Sequence, residues 1–300
     1  MSRKWSPLRR KLFDLLGEDT RSEKIQSHLL VKAEKAGYVL ESLQLTLNRY
    51  ETVPAYFAYP TGAKNCPVVI YNHSHGGDFT LGKEEGLQGA AYLQEPFFET
   101  LLSLGYCVAA IDMWGFGERR GKAESELVKE ALLTGRTLWG MRLYDDLALV
   151  DYLVTREEVN PKRIGTIGMS MGGMMSWWLA ALDERMKVCV DLAGQADLET
   201  LIKERGLDHH GFYLYVPKLL KETSLEEIQS LISPRARMSL TGKDDPLCPV
   251  LGVKKLHKHL QVVYQKAEAQ EHWVSHILTG GHQETREMRM IWQQFLQDQL

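Results

Sequence analysis

The chain has 300 residues, of which 44% are hydrophobic and 25% charged, with a formal net charge of -3. The hydrophobic content suffices for a large core, and the charge lacks the basic excess of a polyanion-binding protein, so nucleic acid is not an expected partner. A run of about eighteen apolar residues, the minimum for a membrane span, does not occur.

The composition is even along the chain, without a Gly/Ser-rich or Pro-rich linker, an internal repeat or a low-complexity tract. One α/β domain of this length is common, so we expect a single domain over residues 1–300. The cysteines lack C-x-x-C spacing and predict buried free thiols in a reducing compartment, the cytoplasm. They are Cys66, Cys107, Cys189 and Cys248.

The first seventeen residues are basic and amphipathic, with Arg3, Lys4 and Trp5 near the start. They lack the uninterrupted apolar core and cleavage site of a signal peptide. We expect residues 1–39 to form an N-terminal helical extension that packs on the domain or on a second subunit of a homo-oligomer. Docking on a membrane surface is the alternative.

Strand patterns begin at residue 40. Leu43, Leu45 and Leu47 alternate with polar residues, and residues 53–59 follow after a short turn, which predicts an antiparallel hairpin leading the sheet. Residues 68–71 are almost wholly apolar, as in a strand covered on both faces.

A histidine- and glycine-rich loop, residues 72–77, follows this buried strand. If a serine nucleophile follows one of the later strands, a loop at this position supplies a backbone N–H that binds the oxyanion of the tetrahedral intermediate, in addition to the N–H that follows the serine. We predict the amide of His75, with that of Gly76 as the alternative, and Gly76 also as a substrate contact. His73 and His75 lack an obvious third ligand nearby, so a metal site is not expected.

Residues 97–104 predict a helix and residues 107–111 the next buried strand. Loops beyond the carboxyl ends of parallel strands line the ligand crevice, so Trp114, with Phe116, is predicted to form a substrate-binding wall. Glu118 is predicted to brace this loop by an ion pair with Arg119 or Arg120.

Residues 141–153 carry apolar side chains at helical spacing and predict the helix that crosses to the next strand. Asp145 and Asp146 lie in its predicted first turns, where the helix dipole favours carboxylates.

The most informative segment is Gly168-Met169-Ser170-Met171-Gly172, a G-x-S-x-G motif between an apolar strand and an apolar helix. A serine hydroxyl needs a base and must be lifted clear of the sheet, which requires a sharp turn with glycines on both sides. Ser170 is the predicted nucleophile. The N–H of Met171, at the start of the helix, is the predicted first oxyanion donor.

Residues 188–192 predict the sixth strand, and the stretch after it does not fit one crossover helix. Pieces at 198–204, 213–220 and 224–231 predict a small helical cap inserted over about residues 195–235. Ser224 and Glu227 have the spacing of a capping box. His209 and His210 are predicted to line the pocket or lid, with a catalytic role as the less favoured alternative.

Two further strands, at 237–241 and 273–278, are each followed by a candidate site residue. Asp245 is predicted to orient and stabilise the base, with Asp244 as the alternative. His282, on a glycine-loosened loop before the C-terminal helix at 285–300, is the predicted base. The chain order Ser170, Asp245, His282 is the one expected for a nucleophile-elbow enzyme.

Over roughly residues 40–300 the chain resembles the α/β-hydrolases, and within them the dienelactone-hydrolase-like and acetyl-xylan-esterase-like bacterial serine esterases. The motifs that carry the resemblance are His73-Ser74-His75-Gly76-Gly77, Asp112-x-x-Gly115-Phe116-Gly117-Glu118-Arg119, Gly168-x-Ser170-x-Gly172, Gly242-x-x-Asp245 and Gly280-Gly281-His282. Dienelactone hydrolases proper have a cysteine in place of Ser170, so dienelactone is not the expected substrate. Ser74 stands where those proteins usually have glycine.

The resemblance implies a mostly parallel central sheet flanked by helices and a carboxylesterase that cleaves small or medium acyl esters. We expect a small-molecule ester as substrate and neither a metal nor an organic cofactor. A serine peptidase of the oligopeptidase-like type is one alternative; the chain before residue 40 is too short for the large extra domain usual in those enzymes. The other is a binding protein that keeps the fold without catalysis.

Overall fold

The computed structural model of the protein describes residues 6–300. Its centre is a nine-stranded sheet with the order β1-β2-β3-β5-β4-β6-β7-β8-β9. The strands are β1 (Ser27–Lys35), β2 (Tyr38–Leu45), β3 (Val53–Pro60), β4 (Cys66–Asn72), β5 (Cys107–Ile111), β6 (Val159–Met169), β7 (Met186–Leu192), β8 (Ala236–Gly242) and β9 (Trp273–Leu278).

The first three strands and β5 pair antiparallel, and the six strands from β5 to β9 pair parallel. The described helices are α1 (Pro7–Leu16), α2 (Glu85–Gln88), α3 (Phe97–Ser103), α4 (Glu124–Leu133), α5 (Leu138–Leu153), α6 (Met171–Leu182), α7 (Leu198–Glu204), α8 (Leu219–Glu222), α9 (Leu225–Ser230), α10 (Val250–Lys266) and α11 (Arg286–Gln299). The predicted mostly parallel sheet flanked by helices, the α/β-hydrolase architecture, is confirmed.

Both faces of the central strands are covered, which explains their continuous apolar runs. In β4, Val68 and Ile70 pack into the cluster that contains side chains of α1, α5 and α6. Val69 and Tyr71 point to the opposite face and join the cluster that contains side chains of α3 and α11. Because the strands from β5 to β9 in the sheet order run parallel, their carboxyl ends lie at one edge of the sheet, and the candidate site residues follow them there.

The predicted helical extension over residues 1–39 is wrong in part. The helix is confined to Pro7–Leu16, and Ser27–Lys35 is an edge strand that pairs with β2 around a turn at Gly37, whose φ is +89°. The strand was missed because it is exposed on both faces, so its apolar residues do not alternate with polar ones. It also makes Met186–Leu192 the seventh strand instead of the sixth. Residues 1–5 of the extension lie outside the described residues.

Helix α1 lies on α5. Leu12 and Leu16 are buried, the hydroxyl of Thr137 donates to the carbonyl of Leu16 at 2.8 Å, and the hydroxyl of Tyr144 donates to that of Gly17 at 2.8 Å. A Cβ at Gly140 would lie 2.2 Å from the Leu16 oxygen, so the two backbones are in direct contact.

The segment after β7 consists of short helices. Ser224 and Glu227 form the predicted capping box at the start of α9. The predicted helical piece at 213–220 is instead a 3₁₀ turn at Phe212–Leu214 and the short α8, because Pro217 and Lys218, which has a φ of +65°, interrupt it. Within residues 6–300, no helix combines the length and the apolarity needed to cross a membrane.

A buried ion pair fixes α11 to the loop that carries His282. The Glu284 carboxylate, 1% exposed, accepts from Arg289 Nε at 2.7 Å and Nη2 at 2.6 Å, from the indole N–H of Trp292 at 2.7 Å and from the backbone N–H of Gln94 at 3.0 Å. Because water cannot replace these donors, the carboxylate depends on the arginine.

We predict that Arg289→Met lowers the free energy of unfolding by about 3–5 kcal/mol, because it leaves Glu284 charged and unpaired. Lys122→Met is the matched control: it breaks the exposed pair with Glu130 and is expected to leave the free energy of unfolding nearly unchanged. Denaturant unfolding measures both values. If Arg289→Met lowers the free energy of unfolding no more than the control does, the buried pair of Glu284 and Arg289 does not stabilise the fold as described.

Candidate active site

The backbone turns sharply where β6 meets α6. Ser170 has φ 57° and ψ -121°, a positive φ that is strained for a residue other than glycine. A Cβ at Gly168 would lie 2.4 Å from the carbonyl carbon of Gly172, and one at Gly172 would lie 2.0 Å from the carbonyl oxygen of Asn72. Both glycines are therefore required for the turn, which raises Ser170 above the sheet edge.

The structure brings Ser170, His282 and Asp245 together. His282 Nε2 lies 2.8 Å from Ser170 Oγ, and His282 Nδ1 lies 2.8 Å and 3.0 Å from the two carboxylate oxygens of Asp245. A carboxylate only accepts hydrogen bonds, so Nδ1 carries the proton and Nε2 is free to accept from the serine hydroxyl. The imidazole thus has the tautomer that a general base requires.

Asp244, the predicted alternative to Asp245, differs from it in burial and in contacts. Its side chain is exposed, whereas the Asp245 carboxylate is fully buried and also accepts backbone N–H bonds from Leu247 at 2.8 Å and Cys248 at 3.2 Å. These donors hold the carboxylate in place at the end of β8. The geometry therefore favours Asp245 over Asp244.

Unpaired N–H groups lie at the predicted oxyanion positions. Among the described residues, the backbone N–H groups of Met171 and His75 find no acceptor, and neither does that of Gly76. The N–H of Ser74, in contrast, donates to Glu85 at 2.9 Å. His75 and Gly76 thus both remain candidates. Gly76 has a φ of +55°, and a Cβ there would lie 2.5 Å from the hydroxyl of Tyr92, so glycine is needed at this position.

Glu85 holds this loop in place by hydrogen bonds. Its buried carboxylate accepts from the hydroxyl of Tyr71 at 2.5 Å, from that of Tyr92 at 2.5 Å and from the Ser74 N–H. Burial, together with the neighbouring carboxylate, raises the pKa of both tyrosines above the ordinary range, so both stay neutral donors. Glu85 could not be recognised from the sequence, since it lies in a short polar segment without a motif.

The side chain of His75 connects the loop to the segment after β7. Its Nδ1 accepts from the Gly77 N–H at 3.2 Å, so Nε2 donates to Glu124 at 3.1 Å. Glu124 also accepts from the N–H of Phe212, in the segment after β7, at 2.7 Å. Burial alone would raise the pKa of Glu124, but the His75 hydrogen bond and the charge of Arg142 hold it below its ordinary value. Glu124 is another residue that sequence reasoning missed.

The loop after β5 differs from its prediction. Glu118 pairs with Lys83 at 2.6 Å, and Arg119 pairs with Glu51 at 2.7 Å and with Asp145 at 2.8 Å, so the predicted ion pair within the loop is wrong. Such partners are distant in sequence, which is why proximity along the chain misled the prediction.

The aromatic residues of the same loop separate into two roles. Phe116 is fully buried and stacks on Phe79 at 4.9 Å, so it belongs to the core and not to a substrate wall. Trp114 is half-buried and lines a pocket of about 410 Å³. Its carbonyl accepts from Arg142 at 2.7 Å, and Nη1 of that arginine lies 3.2 Å from the sulfur of Met171.

The prediction that Asp145 and Asp146 lie in the first turns of a helix, where the helix dipole favours carboxylates, is wrong. Helix α5 begins at Leu138, so both carboxyl groups lie well past its first turn, fully buried. Asp145 accepts from Asn48 at 2.8 Å as well as from Arg119. Burial raises the pKa of both groups.

The ring nitrogens of His73 are both engaged, since Nδ1 contacts the carbonyl of Ser74 at 2.9 Å and Nε2 accepts from the N–H of Met113 at 3.1 Å. The described residues hold one group of potential metal ligands, Asp245, Cys248 and His282, with atoms within 4.8 Å of one another. Two of these already bind each other, and burial raises the pKa of the Cys248 thiol well above its usual value, which disfavours the thiolate that a metal requires.

His210 lies in the cap segment, near His282 and Asp245. Burial lowers its pKa, and the charge of His282 contributes in the same direction. Its Nε2 is buried without an acceptor or donor among residues 6–300. His209 lies on the 3₁₀ turn Leu207–His209 and is not buried.

Comparison with known proteins agrees with this architecture. The model of the family described as "Prolyl oligopeptidase family" matches residues 96–298. "Putative hydrolase YtaP" of Bacillus subtilis (strain 168) is 50% identical over 291 residues, which are 96% of this chain and 97% of that protein.

Two solved structures share the fold. The "putative acetyl xylan esterase" of Bacteroides fragilis NCTC 9343 superposes with a TM-score of 0.73 at 16% identity, covering 92% of this chain and 74% of that one. The glucuronoyl esterase of Solibacter usitatus superposes with a TM-score of 0.72 at 15% identity, covering 97% and 91%.

The burial of His73 makes the free energy of unfolding depend on pH. Burial lowers its pKa in the folded protein, while an unfolded histidine titrates near a pKa of about 6.5. Below that pH the unfolded chain binds the proton more readily, so the free energy of unfolding falls as the pH drops.

We predict that His73→Gln is less stable than the wild type at neutral pH but loses less stability on acidification. Denaturant unfolding at neutral pH and below the unfolded pKa of about 6.5 measures both effects. The same pH dependence in both proteins would show that His73 is not the group responsible.

Proposed function

The chain belongs to the prolyl oligopeptidase family and is a serine hydrolase of the α/β-hydrolase fold, and from this premise we propose that it is a carboxylesterase that cleaves small or medium acyl esters. The observation that carries the proposal is the contact of His282 with both Ser170 and Asp245. The esterase names of the two solved structures that share the fold agree with ester hydrolysis.

In the proposed acylation step, Ser170 Oγ attacks the ester carbonyl as its proton passes to His282 Nε2. The buried Asp245 carboxylate stabilises the imidazolium that forms. The tetrahedral oxyanion accepts from the N–H of Met171 and from that of His75 or Gly76, and each donor is typically worth about 2.7–4 kcal/mol of barrier. Collapse breaks the ester C–O bond, and Nε2 returns the proton to the leaving alcohol.

Deacylation repeats these steps with water. His282 Nε2 removes a proton from the water that attacks the acyl carbonyl, the same donors bind the second oxyanion, and Ser170 leaves as the hydroxyl when Nε2 returns the proton to Oγ. The products are the free acid and the enzyme, and the route needs neither a metal nor an organic cofactor.

The surrounding contacts support this chemistry by fixing its parts before substrate binds. Glu85 occupies the Ser74 N–H and holds the loop so that the next amides stay free. Glu124 ties the same loop to Phe212 in the cap. Donors that are preorganised in this way need no reorganisation as the oxyanion develops, which is the main advantage of a protein site over water.

We predict that wild-type protein hydrolyses p-nitrophenyl acetate and butyrate and that Ser170→Ala lowers kcat/KM at least about a thousandfold, because the nucleophile is removed. Ser103→Ala, an exposed serine on α3, is the matched control and is expected to retain full activity. Equal turnover by wild type and Ser170→Ala would remove Ser170 as the nucleophile.

The name of the matched family favours one alternative, a serine peptidase for short peptides, which would use the same three residues. Parallel assays with an aminoacyl p-nitroanilide separate the two. We expect the ester to be cleaved and the anilide to be cleaved far more slowly. Anilide cleavage at a rate similar to that of the ester, lost in Ser170→Ala, would favour the peptidase.

The neighbouring aspartates give a matched pair. We predict that Asp245→Asn lowers kcat on the order of a thousandfold or more, since the amide cannot stabilise the imidazolium and favours the wrong tautomer. Asp244→Asn removes an exposed carboxylate and is expected to change kcat less than about twofold. Steady-state kinetics with p-nitrophenyl acetate measures both, and the reverse order of losses would identify Asp244 as the acid.

A further inference from the structure

A pocket of about 410 Å³ lies beside the loop after β5, outside the set of residues proposed for catalysis. Tyr50 and Trp114 form aromatic walls, with ring centroids 6.4 Å apart in an edge-to-face arrangement. Leu127, Ala131 and Met141 add apolar surface. The space therefore suits a small ligand with an apolar or planar body.

The charged residues around the pocket are predominantly basic. Four cations line it, against two carboxylates, and the carboxylates are occupied: Glu51 pairs with Arg119, and Glu130 pairs with Lys122. Arg120 and Arg136 form no ion pair within the described part of the chain. The hydrogen bond from Lys122 and, to a smaller extent, the charge of Arg136 lower the pKa of Glu130, so the protein neutralises the positive charge of the pocket only in part.

The two unpaired arginines are nevertheless held in place. Arg120 Nη1 donates to the carbonyl of Gly117 at 2.8 Å. Arg136 donates to the hydroxyl of Thr134 from Nε at 3.0 Å and from Nη2 at 2.7 Å, and its guanidinium lies 4.6 Å from the ring centroid of Tyr50. Guanidinium groups whose positions are fixed lose less entropy when they bind an anion.

Two buried donors on the same walls lack acceptors. The Arg119 side chain is 2% exposed and stacks on Trp114 at 4.4 Å from its ring centroid. Arg119 Nη2 and Trp114 Nε1 have no hydrogen-bond partner among residues 6–300. Both atoms are buried, so an anion in the pocket would reach them only after a shift of the Trp114 and Arg119 side chains; such a shift would give an acceptor to donors that the protein leaves unsatisfied.

We propose that this pocket binds an organic oxyanion, a carboxylate or a phosphate monoester on an apolar or planar body. The anionic group accepts from Arg120 and Arg136, and the body lies against Tyr50. The buried Arg119 and Trp114 become further donors when their side chains shift toward the anion. Guanidinium groups bind both kinds of oxyanion by charge-assisted hydrogen bonds. The binding site is independent of Ser170 chemistry, and its occupancy is measurable whether or not the ester is the substrate.

Isothermal titration calorimetry on the full chain tests the proposal with three single-ring probes: benzoate, phenyl phosphate and the neutral benzamide. The variants are the double substitution Arg120→Gln with Arg136→Gln, and Trp114→Phe, which removes the indole N–H but keeps an aromatic wall. Arg286→Gln, which removes an exposed arginine on α11, is the matched control.

We expect one molecule of benzoate or phenyl phosphate to bind per chain, at least about tenfold more tightly than benzamide, because charge-assisted hydrogen bonds are stronger than those of a neutral amide. The double substitution should weaken oxyanion binding about tenfold or more and leave benzamide binding unchanged. Trp114→Phe should weaken it less, and Arg286→Gln should not change it. The tighter of the two anions identifies the kind of oxyanion.

Three results would overturn the proposal: no saturable binding of either anion, equal affinities for benzoate and benzamide, or anion binding unchanged by the double substitution. If the double variant does not fold, the comparison of oxyanion with benzamide binding in Trp114→Phe decides. A loss confined to the anions supports the site, and an equal loss for all three probes contradicts it.

Discussion

The close approach of α6 to β4 is the constraint on which the arrangement of the site depends. The Gly172 backbone lies so near the carbonyl of Asn72 that no Cβ fits between them. The Asn72 side chain donates to the hydroxyls of Thr166, in β6, and Ser176, in α6, at 3.0 Å and 3.1 Å. These contacts fasten two strands and a helix together at the point where the chain turns at Ser170. The exposure of the serine above the sheet edge therefore follows from packing beneath it.

Buried carboxylates hold the loops around this turn in place. Glu85 holds the loop after β4, Glu124 joins that loop to the segment after β7, and Glu284 anchors the loop that carries His282. Each carboxylate accepts from three or more donors in its surroundings or pairs with a cation, as a buried charge must. The site thus consists of residues on loops that are positioned by polar contacts in the interior. Loss of one partner in such a contact leaves the other polar group buried and unsatisfied, so the position of each loop depends on both partners.

The sequence predicted features that leave a local pattern. The glycines around Ser170 mark the turn, and Asp245 and His282 could be predicted as site residues because each follows a late strand. The chain order Ser170, Asp245, His282 seldom arises by chance. The fold and the hydrolase family are confirmed, while the roles of the site residues stay predictions. The sequence did not predict β1, because an edge strand exposed on both faces lacks alternation. Nor did it predict Glu85 or Glu124, because their partners are set by tertiary packing and not by spacing along the chain.

The central claim is that Ser170 is a nucleophile activated by His282. Labelling with a fluorophosphonate tests it directly, because the serine oxygen displaces fluoride from phosphorus and keeps a stable adduct that peptide mass spectrometry locates. We predict a single adduct, on Ser170, which forms rapidly in the wild type, slowly in His282→Ala and not at all in Ser170→Ala. A wild-type adduct on a different residue, or equal labelling rates in wild type and His282→Ala, would contradict the account.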